Sequence, residues 1–325
     1  MLMLLGFIVL IACLVIGVRR GGIGLAAVSA IGLVFFIFVM HLNPGKPPVD
    51  VMLTIMAVVT CSAFLQASKG LDVMLKYAEK FLRSNPKYIT ILAPITTWTL
   101  AVLCGTGHVV YTMFPIIYDI AIKQNIRPER PMAVSSIASQ MGVCASPASV
   151  AVVSVVAILG ASPHPFGVMQ ILSISIPATF IGVIMAGLWS LNRGKDLDQD
   201  ELFQAKIADP EQKEYIYGDL ADQSLVNRKL PATAYKAAVI FLMGIAVIAI
   251  FGSFPQLLPK FADAKGVMKT FSMTPTIQLM MLTIAAIIMV VCNVKTSDVA
   301  SGSVFKSGMT AIVSVYGVAW MADTY

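Results

Sequence analysis

The chain has 325 residues, of which 58% are hydrophobic and only 12% charged, with a formal net charge of +6 and a mean hydropathy of +0.83. A soluble domain is about half apolar and about a quarter charged, so this surplus of apolar side chains excludes a water-surrounded globule and demands lipid as solvent. The basic residues gather in short loops between apolar runs, where they read as topology signals and not as a nucleic-acid surface.

Residues 1–18 are apolar and lack both a basic leading region and a small-residue cleavage site, so they read as a retained first span. Further apolar runs follow at 22–40, 51–67, 88–122, 132–160, 167–191, 235–252, 275–293 and 304–322. With the Arg19-Arg20 turn placed on the cytoplasmic side, 19 of the 23 Lys and Arg fall in inner loops. Only Lys46, Lys260, Lys265 and Lys269 fall outside, which puts the N-terminus outside. The segment 71–83 places Leu71, Met74, Leu75, Ala78 and Leu82 at helical spacing and reads as an amphipathic helix at the inner interface.

Two runs do not fit a single crossing of about 20 residues. Both flanks of 88–122 are basic, and its arms, 88–104 and 108–122, reach about 25 Å and about 22 Å at a 1.5 Å rise per residue. A re-entrant hairpin fits, with Gly105, Thr106 and Gly107 at its tip inside the membrane. Such backbone is tolerated there only when buried in protein or lining a wet cavity. In 132–160, Ser146-Pro147 falls near the middle. Ser is a good N-cap and Pro suits a first helical turn, so a broken helix is expected, its second half starting at Ala148. The polar stretch 192–234 reads as a cytoplasmic linker with one short helix near 198–208, and 253–274 as an outer loop. On this reading 1–191 is a first transmembrane half and 235–325 the start of a second, incomplete one.

The membrane core holds no Lys or Arg, so a bound anion must be met by helix N-termini and hydroxyls. The candidates are Gly105, Thr106, Gly107, His108, Tyr111, Gln140, Ser146, Pro147 and Ser149. Each has a plainer reading beside it. The Gly-Thr-Gly tip also suits close helix packing. His108 also suits a satisfied buried imidazole, and Tyr111 packing. Ser146 and Pro147 have a capping role in either case, and Gln140, Ser136 and Ser139 suit interhelical hydrogen bonding. Asp119 is expected to reach interfacial water. Arg127 and Arg130 are orientation anchors that also suit gathering anions at the inner mouth. The five cysteines lie in apolar segments without metal or disulfide spacing. No metalloprotease, Walker A or nucleophile-elbow motif occurs, so neither catalysis nor a cofactor or metal is expected. A membrane-embedded enzyme, a passive channel, a cation-coupled symporter of another organic anion and a sensor or scaffold are the alternatives.

The stretches "HLNPGKPPVDVML", "LQASKGLDVMLKYAEKFLRSNPKYITILAP", "CGTGHVVYT", "NIRPERPMAVSSIASQMG", "ASPASVAVVS", "RGKDLD", "EYIYGD" and "FKSGMTAIVSVYGVAWMADT" run the length of the chain. On these the chain resembles the anaerobic C4-dicarboxylate transporter (Dcu) family, its B branch more than its A branch. The resemblance implies an all-α polytopic transporter of the bacterial inner membrane, built from inverted repeats with a re-entrant hairpin and a broken helix. It implies antiport of fumarate, malate or aspartate against succinate in anaerobic growth, with these dicarboxylates as substrates; the lipid bilayer and a homo-oligomer complete the expected partners, with no nucleic acid among them. It also implies a family continuing past Tyr325, so that the chain is expected to lack the C-terminal quarter.

Overall fold

The computed structural model describes residues 2–147, 149, 151–152, 155–156, 159, 166–217, 225–226, 228–262 and 266–325. The apolar runs become helices whose lipid-side faces carry the side chains a soluble protein would hide. Leu4, Phe38, Ile174, Trp189 and Val290 are all well exposed, a pattern that fits hydrocarbon as the surrounding solvent. Among the described residues, seven helices are long and apolar enough to cross a membrane.

Helix α1 (Leu2–Arg20) turns back into α2 (Ile23–Val34), which ends in the π turn Phe35–Val39. Helix α3 (Val49–Ala67) leads to α4 (Gly70–Ser84). Then come α5 (Ile89–Cys104), α6 (Val109–Lys123), α7 (Glu129–Cys144) and α8 (Val168–Ser190). In the linker lie α9 (Glu201–Ile207) and α10 (Pro210–Tyr217), followed by α11 (Ala232–Ser253), α12 (Met273–Cys292), the short α13 (Thr296–Ser301) and α14 (Ser303–Thr324).

The helices gather into two groups. In one, α5 packs chiefly on α7, and α8 lies against both. In the other, α3 packs on α12 and α14, α14 also on α2, and α11 on α12. Helices from both sides of the linker therefore share the second group. One large core runs through both, including Leu75, Leu82, Ile89, Met113, Ile117, Phe241 and Met281.

Several expectations are adjusted. The first arm of 88–122, with the 3-10 turn Pro86–Tyr88, reaches 19 residues and is long enough to cross, whereas α6 has 15. Met74, Leu75, Ala78 and Leu82 of α4 are buried, and they turn into the protein core toward α6 and α11, not toward lipid. The segment 253–274 contains a two-stranded antiparallel ribbon, Lys260–Ala262 with Met268–Thr270, with Lys260 opposite Thr270. The linker holds two short helices instead of one. Asp200 caps α9 by accepting the N–H groups of Leu202 and Phe203 at 3.1 and 3.2 Å. Asp209 accepts the Glu211 N–H at 3.1 Å at the start of α10.

Candidate functional site

Helix α5 stops at Cys104 because Gly105 adopts φ 69°, a left-handed cap that favours glycine, and returns its N–H to the Ala101 carbonyl at 2.9 Å. Thr106 then accepts the His108 N–H on Oγ1 at 3.3 Å, and α6 starts at Val109. Gly107 is buried against α7, where a Cβ would lie 2.7 Å from Gln140 Nε2. The tip is thus shaped by two glycines for different reasons, one by backbone angle and one by close approach.

The feet of this helix pair are fastened together. Arg83, at the end of α4, donates to Glu79 and to Asp119, both at 2.8 Å, and Lys123 pairs with Asp119 at 2.7 Å. Asp119 is 7% exposed, so it is buried in an ion network instead of reaching interfacial water. Burial by itself would lower the Arg83 pKa, but the hydrogen bonds and charges of Glu79 and Asp119 outweigh it and raise it. Glu79 also accepts the Leu225 N–H at 2.8 Å, which ties the linker's far end to α4. Arg130 donates to Asp196 at 2.6 Å and to the Arg193 and Gly194 carbonyls, and Arg127 pairs with Asp200. The Arg130 guanidinium is committed to the linker, an anchoring role, and Arg127 is held to it through Asp200.

At the other end, the tip faces α3 and the first turns of α14 across two adjoining cavities. The smaller, about 120 Å³, is lined by Ser62, Gly105, Thr106, His108, Ser307 and neighbouring apolar residues. The larger, about 270 Å³, is lined by Gln66, Thr106, His108, Tyr111, Thr112, Ser303 and Ser307 among others. They share Thr106, His108, Val304 and Ser307, and neither lining includes Lys, Arg, Asp or Glu. Ser62 donates to the Cys104 carbonyl at 3.5 Å and links α3 to the tip. The His108 ring stacks on Tyr111 at 5.9 Å. Both side chains are exposed.

The structure brings Gly105, Thr106, His108 and Tyr111 to these cavities and sets Gly107 and Gln140 just behind them. Ser146, Pro147 and Ser149 are buried and absent from both linings. Ser149 Oγ accepts the Val152 N–H at 3.2 Å, a capping contact at the start of the helical residues 151 and 152. Residues 151 and 152 are helical, while Ala148 and much of 148–160 lie outside the described residues. Two N–H groups at the start of α6 are less bare than expected. Val110 and Tyr111 donate to the Gly107 and His108 carbonyls at 3.3 and 3.2 Å. Ser139 donates to the Ser136 carbonyl at 2.8 Å, within its own helix.

Sequence reasoning missed Ser62, Gln66, Ser303 and Ser307. Breaks inside an apolar run announce themselves locally, but Ser62, Gln66 and Ser307 sit within helices and Ser303 at the start of one. Only the pairing of α3 with α14, across 237 residues between Gln66 and Ser303, brings them to the tip. The i, i+4 spacing of Ser303 and Ser307 was the available signal.

Residues 2–325 match the model of a family described as anaerobic C4-dicarboxylate membrane transporters. The anaerobic C4-dicarboxylate transporter DcuB of Escherichia coli O157:H7 is 54% identical over all of this chain and 72% of its own length. The C4-dicarboxylate transporter DcuA of Wolinella succinogenes is 34% identical over 98% of this chain and 70% of its own. DcuA of Escherichia coli K12 is 32% identical, with 98% and 70% covered. No solved structure matches the chain.

Proposed function

The chain belongs to the anaerobic C4-dicarboxylate membrane transporter family, and on that premise we propose that it exchanges fumarate, malate or aspartate for succinate across the bacterial inner membrane. The observation that carries this reading to particular residues is the cavity at the α5–α6 tip. It carries several hydroxyl, amide and imidazole groups on a largely apolar lining, has no Lys, Arg, Asp or Glu, and lies between the two helix groups.

A dicarboxylate in this cavity meets the Thr106 hydroxyl, the His108 imidazole and the Tyr111 phenol, with the α6 N-terminus adding its partial positive charge. Gly105 and Gly107 keep the tip narrow, and Gln140 braces it from α7. Ser146, Pro147 and Ser149 hold the break behind it. In this proposal 88–122 enters and leaves the membrane on one side and 132–160 is a broken helix. The chain divides at the linker into two halves related as inverted repeats. Hydroxyl and amide donors bind a dianion without trapping it, since lysines or arginines there would hold substrate through Coulomb attraction in a low-dielectric site. Access alternates as one helix group moves against the other. Exchange is obligate because substrate bound across the two walls of the cavity lowers the barrier to reorientation, which the empty carrier crosses poorly.

The test is counterflow in proteoliposomes made with the full encoded protein and labelled fumarate. Uptake is expected to require internal succinate. Uptake driven equally well by a proton or sodium gradient into empty vesicles would favour a symporter instead.

A further inference from the structure

We propose that Gln66 is a specificity-determining residue, its side-chain amide holding one carboxylate of the substrate across the cavity from Thr106. The inference rests on the reading of this cavity as the dicarboxylate site and adds the second wall to it.

Gln66 lies in the last turn of α3 and lines the larger cavity. Its Oε1 accepts the Val304 N–H at 3.2 Å, and its Nε2 donates to Ser303 Oγ at 2.9 Å. A backbone N–H only donates, so the oxygen must face Val304, and the two bonds fix which end of the amide is which. A primary amide carries two N–H groups. One is engaged by Ser303 and the other is left for the cavity.

The other hydroxyls on this wall are mostly committed. Ser62 donates to the Cys104 carbonyl, and Ser307 donates to the Ser303 and Val304 carbonyls at 2.9 and 3.1 Å. Gln66 is therefore an oriented donor that α3 and α14 offer to an anion, with the O–H of Ser303, whose oxygen accepts from Gln66, beside it. Thr106 and His108 offer theirs from the opposite wall. Two neutral donor groups at fixed separation select a ligand with a carboxylate at each end. A monocarboxylate of the same length leaves one wall unpaired, and a site built to hydrogen-bond a group rejects the analogue lacking it.

The variant Gln66→Glu has nearly the same shape. It still accepts the Val304 N–H and can accept from Ser303, so it keeps the helix contact while turning the free donor into an anion. Gln66→Leu removes the donor without adding charge. In counterflow with the full encoded protein, inhibition constants are measured for fumarate and for crotonate, its monocarboxylate analogue, with thermal unfolding in detergent as the check on folding. The inference predicts that both variants weaken fumarate by about tenfold or more. It predicts that Gln66→Leu leaves crotonate within about twofold, collapsing the preference for the dicarboxylate. Fumarate constants within about twofold of wild type in both folded variants, with Thr106→Val still impaired, would overturn the role of Gln66 and leave the cavity reading standing. If Thr106→Val is also unimpaired, the cavity reading falls and this inference falls with it.

Discussion

At the scale of single residues, the tip distinguishes backbone strain from crowding. Gly105 has φ 69°, so any side chain there is strained whatever the space. Gly105→Ala is expected to lower stability by about 1 kcal/mol. At Gly107 an added Cβ meets the Gln140 amide, the movable end of a flexible side chain, so Gly107→Ala should cost less. Thermal unfolding of the purified protein in detergent checks this order. Thr106 and Ser149 are both small hydroxyl residues near helix breaks, yet their surroundings differ. Thr106→Val removes a cavity donor and should weaken fumarate about tenfold. Ser149→Ala removes a buried cap and should lower stability by about 1 kcal/mol while moving the fumarate constant little. A large affinity loss in Ser149→Ala would return that residue to the binding surface. Gly105, Thr106 and His108 were legible because a glycine pair in an apolar run disturbs a pattern. Gln66 and Ser303 lie 237 residues apart, and their pairing depends on how distant helices pack.

Among the elements, the α5–α6 pair is held by its feet. Asp119 is buried and takes both Arg83 and Lys123. Removing its charge leaves Arg83 with Glu79 alone. Asp119→Asn is expected to cost about 2 kcal/mol, because hydrogen bonds to charged groups are the stronger kind. Lys123 is 54% exposed on its side chain, so Lys123→Gln should cost less than about 1 kcal/mol. Unfolding midpoints in detergent that reverse this order would show that the network does not secure the feet. The same reasoning explains the linker. Its acids Asp196 and Asp200 lie in a stretch that read only as a polar linker, and folding pairs them with Arg130 and Arg127. Spacing along the chain cannot reveal such pairing. The apolar face of α4 was equally legible as a face, but periodicity does not say whether lipid or protein covers it, and here α6 and α11 do.

For the whole molecule, hydropathy and the distribution of basic residues were enough to read an all-α membrane protein, since lipid imposes long apolar helices. The grouping of those helices was not legible, because a helix apolar all round looks the same whichever neighbours it takes. That grouping sets the proposed site between α3 and α14 on one side and the α5–α6 tip on the other. The central claim is that this tip lies within the membrane and binds dicarboxylate without a cationic side chain. The direct measurement is the labelling rate of Thr106→Cys, in a cysteine-free background of the full encoded protein, by a membrane-impermeant thiol reagent from each face of oriented vesicles. The account predicts slow labelling that saturating fumarate or succinate suppresses further. Rapid labelling from the periplasmic face, indifferent to either dicarboxylate, would contradict it.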